Sequence, residues 1–298
     1  EKIIKGAIMA QKNIPKCDRI ILIGNKDKIH YHLEKEKFSP GEFDIVNATD
    51  IIGMGEHPIK AFSQKKESSI TKGFNLLKNN EIDALASAGN SGAMLVGSIY
   101  SVGTIQGIIR PATSTILPKE NGKVGVLLDI GTNPDCKPDV MYQFAILGSK
   151  YASYVHNIEN PRIGLLNIGA EEEKGSILTQ SVYNLMKDSK DFNFAGNVES
   201  RDLFTDKADV IVTDGFTGNV ILKQVEAIYE MMRRRGLVDD YFERFNYENY
   251  GGTPILGIDS TVILGHGISN EKAIRNMILL AKDVYEANLS QKIKNALS

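Results

Sequence analysis

Cysteine is scarce in this chain. Cys17 and Cys136 are its only two, far apart and in no Cys-x-x-Cys pair. A disulfide framework and a cysteine-built zinc site are therefore not expected, and a reducing cytoplasm is the compartment that fits. Excess charge is also lacking. With 35 Lys and Arg against 37 Asp and Glu, the formal net charge is -2. That excludes the broad basic field on which non-specific nucleic-acid binding depends and leaves room only for a local basic patch. No apolar run approaches the roughly 20 residues of a membrane-spanning helix, and no signal-peptide pattern is legible at the start. Common catalytic signatures are missing too. There is no nucleophile elbow, Ser-His-Asp order, HExxH, Walker A loop, GxGxxG or EF-hand.

What is present is a strong alternation of elements. The 298 residues are 42% hydrophobic, enough to bury a large core. Short apolar runs at Arg19–Gly24, Ile82–Ala88, Val124–Asp129, Ile163–Gly169 and Ala208–Asp214 read as buried strands, with Phe43–Val46 as a further candidate. Between them, Ser68–Asn79, Met141–Val155 and Ser176–Lys187 carry apolar residues at helical spacing. This order predicts an α/β fold with a mostly parallel sheet and helices on both faces, read as one large domain over 1–298 with room for two lobes. The opening GAIMAQKNI reads as the middle of a helix, so the natural start is expected to lie upstream of Glu1. Residues 230–250, EMMRRRGLVDDYFERFNYENY, interrupt the pattern with a basic run and several aromatics. They read as a helical excursion, either a solvated hairpin or dimer contact, or a surface that meets membrane or a partner.

In open parallel sheets the chemistry sits in loops beyond the carboxyl ends of the strands. Several such loops here are rich in Gly, Asn, Asp and Ser. Ser87, Gly89, Asn90, Ser91 and Gly92 follow a strand and open a helix, where free amides attract anions; a tight capped turn explains them equally well. Asp129, Gly131 and Asn133 could orient a substrate or form an Asx-turn. Asn167, Gly169 and Lys174 surround three glutamates, which a helix dipole alone would explain. The run Asp214, Gly215, Phe216, Thr217, Gly218, Asn219 is the most specific. It reads as a strand ending in Asp, with Asn219 capping a helix and Lys223 one turn further on the same face, an arrangement suited to phosphate. His266 between two glycines, and Lys66 with Ser68 and Ser69 ahead of a helix, complete the set. Cys136, near Asp129, is a candidate nucleophile, though a cytosolic Cys is more often a small buried apolar group.

Taken in order, KKESS, SAGNSGA, IIRPA with its following LP, LLDIGTNPDC, QFAILGS, NPRIGLLNIGAEEEKG, VTDGFTGNVILK, YGGTPILG and GHG resemble the acyl-acyl carrier protein:phosphate acyltransferase (PlsX-type) family across nearly the whole chain. The resemblance implies a three-layer α/β/α fold like that of the isocitrate and isopropylmalate dehydrogenases. It implies a homodimer with its active site near the dimer interface, and reversible transfer of a fatty acyl group from acyl carrier protein to inorganic phosphate. The acyl-phosphate would pass to a membrane-bound glycerol-3-phosphate acyltransferase for phosphatidic acid synthesis. No cofactor and no metal is implied, and contact with the inner face of the cell membrane would be peripheral. Two departures stand out. The family's opening strand and Gly-Gly-Asp loop have no counterpart here, and the apolar, basic insertion after DGFTGN looks shortened near Gly236. On this footing Ser68, Ser69 and Lys223 are expected to hold phosphate, Asn90, Asn167 and Asn219 to orient the acyl carbonyl or pantetheine arm, and Asp214 and His266 to orient or move a proton. The rivals are a phosphotransacetylase acting on short acyl-coenzyme A, a dehydrogenase of the related fold, which would need a metal-binding acid cluster, and a non-catalytic membrane scaffold that binds acyl carrier protein.

Overall fold

The computed structural model describes residues 1–297, Pro40 by its backbone alone. The chain divides into two compact units: Glu1–Gly103, Tyr247–Pro254 and Ile258–Glu286 form the first, and Thr104–Asn246, Ile255–Gly257 with the final residues from Ala287 form the second. In chain order the first unit contributes α1 (Lys2–Gln11), β1 (Ile21–Gly24), α2 (Lys26–Lys35), β2 (Asp44–Asn47), α3 (Pro58–Gln64), α4 (Ser69–Lys78), β3 (Ala84–Ser87) and α5 (Ser91–Gly97). The second contributes β4 (Ala112–Pro118), β5 (Val124–Leu128), α6 (Pro138–Val155), β6 (Arg162–Leu166), α7 (Ile177–Met186), β7 (Asn193–Val198), β8 (Val210–Val212) and α8 (Gly215–Arg234). Strand β9 (Gly252–Leu256) then begins in the first unit and ends in the second. It is followed by β10 (Thr261–Gly265) and α9 (Glu271–Glu286) in the first and α10 (Leu289–Leu297) in the second.

Every expected apolar run meets a strand: most are trimmed at one or both ends, Phe43–Val46 is shifted by a residue, and the strand in Ile163–Gly169 starts one residue earlier at Arg162 and ends at Leu166. Three strands were not legible in the sequence. β4 is bounded by prolines and rich in Thr and Ser, β9 carries Gly and Pro, and β7 alternates weakly. β4 and β9 supply the antiparallel part, pairing with each other and with β5 and β10 respectively, whereas β3–β10, β5–β8, β8–β6, β6–β7 and β1–β2 are parallel.

Register decides where the loops emerge. In the first unit Ser87 pairs with Leu264, so the chain leaves β3 and β10 side by side. In the second, Leu128 and Leu165 both pair with Val212, which brings the exits of β5, β6 and β8 to one edge. Side-chain alternation then fixes the layers of the second unit. Leu127 and Ile211 pack with Ile221 of α8. Their neighbours Leu128 and Val210 meet Gly148 of α6, where a Cβ would stand within 2.8 Å of both side chains. Helices α6 and α8 therefore cover opposite faces.

Two further features of the chain are charged. Lys119 is fully buried and donates to Asp209 at 2.8 Å, and Arg162 grips the same carboxylate through Nε at 2.9 Å and Nη2 at 3.0 Å. The 230–250 stretch is the other, and it is not a helical hairpin. Its first residues finish α8, which ends where Gly236 takes a left-handed φ of 67°. The rest forms only single 3-10 turns, Phe242–Phe245 and Tyr247–Asn249. The first turn is pinned to the β4–β5 hairpin. Arg244 donates to the carbonyls of Lys119 and Lys123 at 2.9 and 2.6 Å, Tyr241 donates to that of Pro118 at 3.1 Å, and Phe245 meets Phe204 edge-on. These aromatics serve the chain's own packing.

Candidate functional site

In the first unit four loops meet. The segment after β2 bridges to the start of α4 through Asp50 and Ser68. Asn90 caps α5, its Oδ1 accepting from the Ala93 amide at 2.9 Å, while its Nδ2 reaches back to the carbonyls of Gly53, Met54 and Glu56 at 2.9, 3.2 and 3.3 Å. Lys65 donates to the Ile51 carbonyl and to Glu56 Oε1, both at 2.6 Å, and that carboxylate also accepts from the Gly53 amide at 2.7 Å. Lys65 and the Gly53 amide hold the Glu56 carboxyl below its usual range. The β10 exit joins the group: a Cβ on Gly265 would lie 3.1 Å from Ala88, and one on Gly267 would lie 2.8 Å from Met54 Cε. His266, between them, stacks on Tyr247 at 5.0 Å.

The helix starts in this cluster are capped by neutral groups. Buried Ser68 accepts from the Thr71 amide at 3.2 Å and donates to the Thr71 hydroxyl at 2.9 Å. Its oxygen is thus committed to the cap, leaving the amides of Ser69 and Ile70 open. At α5 the Ser91 and Gly92 amides are likewise open, while the Gly89 amide is satisfied by Ser87 Oγ at 3.1 Å. The Ser69 hydroxyl is half-exposed, and Ser91 and Lys66 are exposed. Both capping side chains are neutral, so neither sets a charge of its own against these amides, and a helix start of this kind attracts an anion.

The second unit is built differently. Asp214, not Asn219, caps α8: its oxygens accept from the Thr217 amide and hydroxyl, both at 2.8 Å. Asn219 is the fifth helical residue and lies against Gly131. The Gly215 amide is taken by the Asn133 carbonyl at 2.8 Å and that of Gly218 by the Asp214 carbonyl at 3.0 Å, so only Phe216 keeps an open amide. Lys223 is exposed and ion-paired with Glu226 at 2.8 Å. The expected nest of free amides backed by an ammonium is therefore largely filled, with an acid at its tip.

Asp129 faces inward. Its two oxygens accept from the amides of Thr113, Ile130, Thr132 and Asn133, from the Thr113 hydroxyl and from Asn133 Nδ2. Asn133 Nδ2 also donates to the Pro111 carbonyl at 2.8 Å. Both residues are buried and fix the loop rather than greet a ligand. Asn167 does the same for its loop, donating to the Lys174 carbonyl and to Asn197 Oδ1, each at 3.1 Å. Gly169 lies beneath the exposed Lys174. The three glutamates are not in the first turn of a helix, because α7 starts at Ile177 under a Ser176 cap.

Comparison with known proteins decides what this scaffold belongs to. Residues 1–235 match the model of a family described as fatty acid synthesis protein. The phosphate acyltransferase of Thermoanaerobacterium thermosaccharolyticum is 42% identical, over 99% of this chain and 92% of its own length. That of Clostridium acetobutylicum is 40% identical, over 100% and 95%. The chain belongs to the phosphate acyltransferase family. Among solved structures, a branched-chain phosphotransacylase from Enterococcus faecalis superposes with a TM-score of 0.66 at 13% identity, covering 95% of both chains. A phosphotransacetylase from Staphylococcus aureus gives 0.64 at 14%, covering 95% and 92%. At such identities these establish the shared α/β fold.

For a phosphate acyltransferase the Cys136 thiol is a poor nucleophile. Burial pushes it up to about 11, and it donates to the Asn133 carbonyl at 3.3 Å. At neutral pH almost no thiolate is present. Glu56 is not legible as a site residue in the sequence, and Lys65, which the sequence sets with Lys66 as a cation ahead of the α4 cap, is instead spent on Glu56 and the Ile51 carbonyl. The glycines of Gly53-Met54-Gly55 after β2 were the available signal, but the pairing of Lys65 with Glu56 appears only once the chain is folded.

Proposed function

We propose that this chain moves a fatty acyl group from acyl carrier protein to inorganic phosphate, giving an acyl-phosphate for phosphatidic acid synthesis, with the phosphate bound at the loop cluster of the first unit. As a member of the phosphate acyltransferase family it is an acyltransferase, and acyl transfer to phosphate is its reaction. The observation that carries the placement is the pair of neutrally capped helix starts, with open amides at Ser69 and Ile70 on α4 and at Ser91 and Gly92 on α5. Ser69, Ser91 and Lys66 add hydroxyls and a cation.

A phosphate oxygen attacks the thioester carbonyl, forming the new C–O bond. The tetrahedral oxyanion collapses, the C–S bond breaks and the pantetheine thiolate leaves with a proton. Phosphate is a competent nucleophile at neutral pH, so the protein must position it and stabilise the oxyanion. His266, in the same cluster, is the group assigned to deliver the proton. Asn90 is a positioning residue, since its side chain is committed to the cap and the 53–56 carbonyls.

For assembly, we assign a second copy to the exposed stripe of α8 formed by Phe216, Val220, Ala227 and Met231, and peripheral contact with an anionic cytoplasmic membrane face to Arg233, Arg234, Arg235 and Leu237. Among the described residues no helix is long and apolar enough to cross a membrane. The membrane glycerol-3-phosphate acyltransferase is the partner that would consume the product.

The phosphate placement is tested by Ser69→Ala and Lys66→Ala, each assayed for acyl-phosphate at varied phosphate. The placement requires KM for phosphate to rise about tenfold in each; an unchanged KM in both removes phosphate from this cluster.

A further inference from the structure

Beside these polar loops the first unit holds large aliphatic side chains in water. Ile51 is 74% exposed, Met54 63%, Ile268 65% and Ile59 52%. Scattered exposed apolar residues are ordinary on a protein surface. These ride on segments that the fold holds in place. Met54 lies over Gly267, which brings the loop after β2 against the loop that bears Ile268. Pro58, next to Ile59, packs on Gly92, where a Cβ would stand 3.0 Å away. The backbone beneath is drawn inward, since Asn90 takes the carbonyls of Gly53, Met54 and Glu56 and Lys65 takes that of Ile51. The polar groups of this segment are thus consumed inside it, and aliphatic side chains are left outside.

We infer that Ile51, Met54 and Ile268 form the rest on which the donor's acyl chain lies, and that they set a preference for long chains over short ones. This inference rests on the proposed reading above and adds where the chain goes. Attack requires the reacting atoms at about 3 to 3.5 Å. With phosphate on the starts of α4 and α5, the thioester carbonyl must sit beside them, and the acyl chain must run from that carbonyl over the adjoining surface. The aliphatic ground continuous with those loops is this patch. A saturated chain is the occupant it fits, because Met54 and Ile268 offer aliphatic surface and the Lys65 and Glu56 charges within the loop are spent on each other.

The test uses the full chain with Met54 and Ile268 both changed to Ser. Both side chains are exposed, and the Met54 carbonyl that Asn90 holds is kept, so the fold should be preserved. Acyl-phosphate formation is followed by hydroxylamine trapping with palmitoyl- and hexanoyl-acyl carrier protein, and native mass is measured alongside. One apolar contact in a pocket is worth about 10- to 200-fold in discrimination, and an open rest belongs at the low end. The palmitoyl-to-hexanoyl ratio of kcat/KM should therefore fall about tenfold. An unchanged ratio overturns the acyl rest while leaving the proposed reaction standing. A change in subunit assembly also overturns it and gives the patch to a second copy. If the wild-type chain forms no acyl-phosphate from either donor, the proposed reaction fails and the rest goes with it.

Discussion

Replacing Asn90 by Ala removes two things at once. The cap on α5 is lost, typically about 1 kcal/mol. The Nδ2 contacts that tie Gly53, Met54 and Glu56 to the β3 exit are lost as well. At about 0.5 to 1.5 kcal/mol for the net hydrogen bond of each of the two Nδ2 protons, the total is about 2 to 4 kcal/mol. For a chain of this size that lowers Tm by roughly 3 to 6 °C. Asn90→Asp separates the two effects. Aspartate caps a helix as well as asparagine does, but it sets a carboxylate against three carbonyl oxygens and beside the proposed phosphate. The account requires Asn90→Asp to raise KM for phosphate at least tenfold, and Asn90→Ala to lose stability. Thermal melts with phosphate-dependent turnover read both. Wild-type Tm in Asn90→Ala together with wild-type KM in Asn90→Asp would refute the reasoning.

The buried ion network makes a pH prediction. Burial alone would raise the Asp209 carboxyl, but hydrogen bonds from Arg162 and Lys119 outweigh it and hold the carboxyl well below the usual range. A lowered native value gives stability that is present above the unfolded value of about 4 and lost as pH falls below it. Urea unfolding should show Asp209→Asn about 3 to 5 kcal/mol less stable at pH 7, with the gap narrowing below pH 4; a gap independent of pH would contradict the network. Cys136→Ala should keep its turnover and the native thiol should alkylate slowly at pH 7, whereas an inactive, folded variant would reopen covalent catalysis. Lys223→Ala separates the two candidate anion sites: KM for phosphate should stay within about twofold, while a hundredfold loss of turnover would move the anion to the start of α8.

The parallel strands of the second unit were legible because a strand buried on both faces reads as an unbroken apolar run, as Val124–Leu128 and Val210–Val212 do. Strands β4 and β9 were not legible, since threonines and prolines hide them and antiparallel pairing alone makes them strands. The loops were recognisable from their Gly, Asn, Asp and Ser content, but their roles were not. An Asp at a strand end looks the same whether it faces a ligand or, like Asp129, spends both oxygens on its own loop. The cap of α8 was assigned to Asn219 because helix starts are uncertain by a turn when Gly and Thr intervene; Asp214 takes it by bonding the Thr217 amide. The Lys65–Glu56 pair and its hold on the segment after β2 join residues whose meeting no spacing rule announces.

The measurement that tests the central claim most directly is acyl-phosphate formation from a long-chain acyl-acyl carrier protein and inorganic phosphate, trapped as the hydroxamate, with short-chain acyl-coenzyme A run in parallel. The account predicts product that requires phosphate and is formed from the carrier-protein thioester. Product from acyl-coenzyme A alone, or none from either donor, would contradict it.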